Sequence, residues 1–174
     1  MIKVETEKSA HDRTKFHPLQ VIGWREYAKF PDLHVDRIKA KIDTGARSSC
    51  LHAVNIEFFS RHGERWVRFD VHPEQRSAQT VVHCQAPLLE LRNVKDSGGR
   101  ATLRPVIETR IVLGETSVDA ELTLVSRDTM GFRMLIGRQA IRGKFLVDPG
   151  HSYKMGRRKK KKVKKKKAKK KQRS

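Results

Sequence analysis

Asp43-Thr44-Gly45-Ala46 presents one carboxylate at a tight turn, and Leu135-Ile136-Gly137-Arg138 carries two bulky apolar residues into a glycine much later in the chain. A carboxylate fixed at a turn is a candidate for activating water. Peptide hydrolysis by carboxylates needs two of them about 3 Å apart, sharing one proton. Like charges that close cannot both ionise near neutral pH. The ionised member takes a proton from water while the protonated member polarises the scissile carbonyl. The sequence holds one Asp-Thr-Gly, and Val147-Asp148-Pro149-Gly150 has proline where Thr or Ser is wanted. Two copies of Asp43 must then come from two chains, which predicts a homodimer with its two-fold axis through the site. Such chemistry requires no metal and no cofactor.

A second chemistry competes with it. Cys50 and His52 share one face of a strand, and His83-Cys84 lies on another, which suggests a Cys/His zinc site and a zinc-dependent hydrolase. His83 and Cys84 are adjacent, so a regular strand points them to opposite faces. His-Glu-x-x-His and Gly-x-x-x-x-Gly-Lys-Ser/Thr are both absent.

The elements that position Asp43 are short strands. Ile38, Ala40 and Ile42 alternate with Lys39 and Lys41, so His34–Ile42 reads as a strand with one apolar face that delivers Asp43. Gly45 lets the chain reverse without a Cβ clash, and Ser48–Ala53 leaves the turn as a strand. Leu19–Ile22 reads as a first strand, with Gly23-Trp24 continuing it, and Phe30–Leu33 as a turn. Strands follow at 56–59, 66–71, 80–84, 88–94, 105–113 and 117–125, with a hairpin at Arg61–Glu64 and a polar, glycine-rich tip at Asp96–Arg100. Gly131–Gly137 forms a further strand, Arg138–Arg142 a short helix ended by Gly143, and Phe145–Val147 a last strand. Nearly all short strands with turns between them favour a β-barrel or sandwich, and no long amphipathic helix supports a doubly wound fold.

Three motifs together resemble a known family: Ile22-Gly23-Trp24-Arg25-Glu26, Lys41-Ile42-Asp43-Thr44-Gly45-Ala46-Arg47, and Gly131-Phe132-Arg133-Met134-Leu135-Ile136-Gly137-Arg138. They are similar to the retropepsin-like aspartic endopeptidases, and more narrowly to the small bacterial family often labelled "ATP-dependent zinc protease", which is linked to ATP-grasp peptide ligases. The resemblance covers about residues 18–153. It implies a mainly β, retropepsin-like acid-protease barrel with one short C-terminal helix, and the same homodimer. By this resemblance Asp43 is catalytic, Thr44 hydrogen-bonds across the axis, and Gly45 leaves backbone close to a bound peptide. Ala46 is the small residue after the turn, and Leu135 and Ile136 pack beneath it ahead of Gly137. Arg138 anchors the following helix. Its usual acidic partner falls at Arg47 here, so Arg138 must find another acid. The flap of such a site corresponds to Ser97-Gly98-Gly99. The link to ligases implies acidic or poly-glutamate peptides as substrates, which Arg47, Arg133 and Arg138 would suit.

Charge divides the chain. The formal net charge is +20, but Lys154–Arg173 carries 15 Lys and Arg and no acid, leaving 24 bases against 19 acids, or +5. Residues 1–17 read as a flexible lead-in, 18–153 as one β domain, and 154–174 as a disordered basic tail. Residues 157–173 have the electrostatics for non-specific, salt-sensitive contact with RNA or ribosomes, and no interleaved aromatic for base stacking. Two cysteines make no disulfide framework, and no apolar run approaches the length of a membrane span, so a cytoplasmic protein is expected. The rival from another class is a non-catalytic module that binds peptide or RNA with the same barrel.

Overall fold

The computed structural model describes residues 18–75, 77–95, 98–126 and 131–156. The expected lead-in 1–17 and the tail from 157 lie outside them. Among the described residues, twelve strands and one short α-helix run in the order β1 (Gln20–Gly23), β2 (Arg25–Phe30), β3 (Val35–Asp43), β4 (Ser49–His52), β5 (Val54–Arg61), β6 (Glu64–Val71), β7 (Val82–Pro87), β8 (Glu90–Lys95), β9 (Ala101–Leu113), β10 (Thr116–Val125), β11 (Met134–Gly137), α1 (Arg138–Ile141) and β12 (Phe145–Asp148), with a 3-10 turn at Pro31–Leu33 between β2 and β3. The mainly β character expected from the short alternating runs is what the chain adopts.

The largest sheet has the order β10-β4-β11-β3-β2-β9-β8, and β9 also pairs with β10, so the first six of these strands form a ring with β8 outside it. The ring encloses the core. Ile38, Ala40 and Ile42 of β3 point inward against Leu51, Ile107, Ile111, Leu122, Met134 and Ile136. Lys39 and Lys41, between them, face out, as a period of two requires. β5, β6 and β7 make a separate antiparallel sheet. Its tight turn at His62-Gly63 has positive φ at both residues, the conformation that favours a glycine in a two-residue hairpin. β1 and β12 form a small parallel pair.

Two elements depart from the sequence reading. Arg25–Phe30 is a strand, β2, where the sequence pattern assigns no element between Trp24 and the turn at Phe30. Its inward column is Glu26, Ala28 and Phe30. A fully buried glutamate in that column hides the alternation. The strand before Gly137 begins only at Met134, and Arg133 instead donates from Nη1 to the carbonyls of His72 and Ser77, at 2.8 and 2.9 Å. Trp24 is half-buried at the rim, edge-on to Phe132 with centroids 5.9 Å apart, rather than in the core.

Candidate active site

β3 ends at Asp43, and the chain turns through residues 44–48 into β4. β11 lies between these two strands. It pairs in parallel with β3, placing Ile136 opposite Ile42 and Gly137 opposite Asp43, and antiparallel with β4, placing Leu135 opposite Cys50. The strand that enters the turn and the strand that leaves it are thus both hydrogen-bonded to the Leu-Ile-Gly segment. Ile136 is buried and Leu135 half-buried beneath the turn.

Asp43 is fixed through one oxygen. Its Oδ1 accepts from the backbone N–H groups of Gly45 and Ala46, both at 3.1 Å. Among the described residues nothing bonds to Oδ2. One side of the carboxylate therefore holds the turn, and the other is open to a water or a second carboxylate.

The turn is docked onto the start of α1 by its own backbone. Arg138 N–H donates to Ala46 O at 2.8 Å and Gln139 N–H to Arg47 O at 3.1 Å. These bonds satisfy N–H groups that a helix start leaves without intrahelical partners. Gly137 N–H donates to Ser49 Oγ at 3.1 Å, and Thr123 Oγ1 donates to Ser49 O at 3.0 Å. Ser49 is a site residue that sequence reading missed; its only signal is a small hydroxyl one turn after the aspartate. A Cβ on Gly137 would run into the Ser48 carbonyl, so glycine is required there.

Gly45 differs from expectation. Its φ is not positive, and a Cβ there would meet only Asp43 Oδ1 at 3.4 Å, an ordinary contact. Nothing among the described residues demands glycine at 45. Arg138 also differs. Its guanidinium is exposed, and among the described residues no carboxylate lies within ion-pair distance of it. The backbone bonds to Ala46 and Arg47 do the anchoring that an ion pair was expected to do. Thr44, Arg47, Arg138, Gln139, Arg142 and the apolar Ile141 and Phe145–Val147 line a concavity of about 760 Å³ beside the turn. Arg133 is committed to His72 and Ser77 and does not join it.

Gly98 and Gly99 are exposed at the tip of the β8–β9 hairpin, with Gly99 at φ +81°; Ser97 lies outside the described residues. The Cys/His set does not assemble. Cys84 donates to Leu33 O at 3.3 Å, and burial pushes its thiol up to about 12. His83 Nδ1 is 2.6 Å from Asp70 Oδ1. Among the described residues no three His, Cys, Asp or Glu side chains converge in a metal-binding group. Asp148 does not supply a second free carboxylate, since Gly150 N–H, His151 and Lys154 all bond to it.

A family model described as "RimB-like: Retropepsin-like aspartic endopeptidase RimB" matches residues 21–158. The chain belongs to the RimB-like family. The RimB-like match runs from within β1 to beyond β12, with both the Asp-Thr-Gly turn and the segment threaded between its strands. Among curated proteins, a probable alpha-L-glutamate ligase of Shewanella pealeana is 47% identical over 136 residues, which is 78% of this chain and 30% of that protein. One of Desulfotalea psychrophila is 45% identical over 137 residues, 79% of this chain and again 30% of the relative. The RimB-like chain thus spans about a third of the length of these relatives. A solved Legionella pneumophila protein of unknown function superposes with a TM-score of 0.66 at 28% identity, covering 79% of this chain and 98% of that one.

Proposed function

We propose that this RimB-like chain is an aspartic peptide hydrolase that works as a homodimer, with Asp43 of each copy sharing one proton across a two-fold axis. The observation that carries this reading is the Asp43 carboxylate, pinned at Oδ1 by two backbone N–H groups with Oδ2 left open. In the proposed reaction one Asp43 accepts a proton from water, the water attacks the peptide carbonyl, and the protonated partner carboxyl donates to the developing oxyanion. Thr44 would brace the two turns against each other. Gly45, which no described residue requires to be glycine, would leave room for substrate or the partner's turn. Gly98 and Gly99 would close over the peptide from the β8–β9 hairpin, whose arms expose Leu91 and Leu103.

Apolar surface at the β1–β12 pair supports the dimer: Val21 and Leu146 are 42% and 54% exposed, Leu19 just before β1 is 42% exposed, and Leu146 lines the concavity together with Thr44. Acidic peptides, poly-glutamate among them, are the proposed substrates. The relatives named as glutamate ligases and the basic run 157–173 both fit that class, the run by raising its local concentration. We place the protein in the cytoplasm, where its two unbridged cysteines are unremarkable. No described helix is long and apolar enough to cross a membrane.

Subunit mixing tests the shared site. Wild type and Asp43→Asn chains are unfolded together, refolded and assayed on a poly-glutamate peptide. Random pairing in equal proportion leaves about a quarter of the dimers with two aspartates, so activity should fall to that fraction of an all-wild-type sample. A fall only to one half would mean that each chain acts alone.

A further inference from the structure

The outer face of β2 and β3 leads to Asp43 and is cationic. The inward positions Ile38, Ala40 and Ile42 are 1%, 0% and 7% exposed, so Arg37, Lys39, Lys41 and Asp43 project together on the opposite face. Two residues of strand advance about 7 Å, so these side chains stand in a row at that spacing. β2 adds to it. Arg25 is directly opposite Lys41, and Tyr27 opposite Lys39. Directly opposed residues share a face, and like charges there destabilise the pair unless an anion lies between them.

Aromatic rings, rather than carboxylates, orient the guanidinium groups. Arg37 lies 3.5 Å from the Tyr27 ring centroid, and Tyr27 stacks on Tyr153 at 4.7 Å. Arg25 sits 4.5 Å from the Trp24 centroid and 5.2 Å from that of Tyr153, and its Nε donates to Ser152 Oγ at 3.0 Å. Among the described residues, none of Arg25, Arg37, Lys39 and Lys41 makes an ion pair. A groove of about 660 Å³ runs beside Tyr27, Arg37, Lys39 and Tyr153. The acids that line it are Asp36, at the end of β3 remote from Asp43, and Glu74, on the loop after β6.

We propose that this row is the specificity track of the hydrolase. Lys41, with Arg25 opposite, binds the carboxylate of an acidic side chain next to the scissile bond. Lys39 and then Arg37 take the following carboxylates on the same side of an extended peptide. The match is geometric, because alternate side chains of an extended peptide repeat at the same spacing of about 7 Å. Single-stranded nucleic acid fits less well, since Arg37 and Tyr153 already cover Tyr27 and leave it no face for a base. The assignment rests on Asp43 being the reacting group.

The test separates the two claims. In an Asp43→Asn full-length background, Lys39→Gln/Lys41→Gln should weaken binding of a fluorescent decaglutamate at least tenfold at about 0.3 M salt, where the basic tail is screened. Arg65→Gln, an exposed charge on β6, should change it less than twofold, and Lys41→Arg should restore most of the Lys41→Gln loss. With Asp43 present, Lys41→Gln should lower kcat/KM for the glutamate peptide at least tenfold and leave a glutamine analogue unaffected. Lysine-dependent binding without cleavage by wild type would keep the track and reject the hydrolase. Cleavage that is indifferent to Lys39 and Lys41 would reject the track and keep the hydrolase. An equal loss in Arg65→Gln, or displacement of the peptide by an equal concentration of single-stranded RNA, would also overturn the track.

Discussion

Gly137 faces Asp43 across the parallel pairing of β11 with β3, and its α-carbon sits where any larger residue would strike the Ser48 carbonyl. Its N–H is held by the buried Ser49 hydroxyl. The aspartate turn is thereby fixed from beneath by one glycine and one serine.

Substituting either residue should loosen the turn. Gly137→Ala must push back backbone, and overpacking of this kind costs about 1–3 kcal/mol. Ser49→Ala leaves the buried Gly137 N–H without an acceptor, at a cost of about 1–3 kcal/mol. Thermal unfolding should show both losses, and turnover should fall further than stability explains. Wild-type stability in Gly137→Ala would mean that the turn does not pack as described.

Glu26 holds the C-terminal segment. It is fully buried; its Oε1 accepts from Gly23 N–H at 2.7 Å and Lys154 N–H at 2.8 Å, and its Oε2 from Met155 N–H at 3.3 Å. Glu26→Gln keeps only one acceptor oxygen and should cost about 2 kcal/mol, the scale of a hydrogen bond to a charged group. Urea unfolding reads the loss, and limited proteolysis should cut sooner within 151–156. Unchanged cleavage there would remove Glu26 from this role.

How much of this was legible in the sequence depended on which residues carried a pattern. The β3 alternation, the Asp43 turn and the Leu135-Ile136-Gly137 segment all announce themselves through period two or through glycine. β2 does not, because Glu26 stands in its inward column and is satisfied by the backbone N–H of Gly23 and by those of Lys154 and Met155, far away in sequence. Ser49 carries no periodic signal; its role appears only when β11 threads between β3 and β4. The partner expected for Arg138 was a charge, whereas the fold uses the carbonyls of Ala46 and Arg47. Sequence patterns report burial well and long-range backbone bonds poorly.

Among the described residues Asp70, Glu121 and Asp148 are held below the ordinary carboxylate range, and Asp70 should contribute to acid sensitivity. The Asn55 amide holds its carboxyl below the usual value of 3.8; burial opposes this, and the hydrogen bond and charge of His83 add to the lowering. A depressed carboxylate stabilises the fold above its ordinary range, and that stability is lost as pH falls through the folded value. Asn55→Ala should raise the Asp70 midpoint in an NMR titration and flatten the pH dependence of stability below about pH 4. An unmoved midpoint would assign the shift elsewhere.

Cleavage of a poly-glutamate peptide by wild type and Asp43→Asn, each with and without a metal chelator, decides whether Asp43 performs the hydrolysis. Wild type should cut at a rate that chelator leaves unchanged, and Asp43→Asn should lose at least a thousandfold in kcat. Cleavage that survives in Asp43→Asn, or that chelator abolishes, would contradict that role of Asp43.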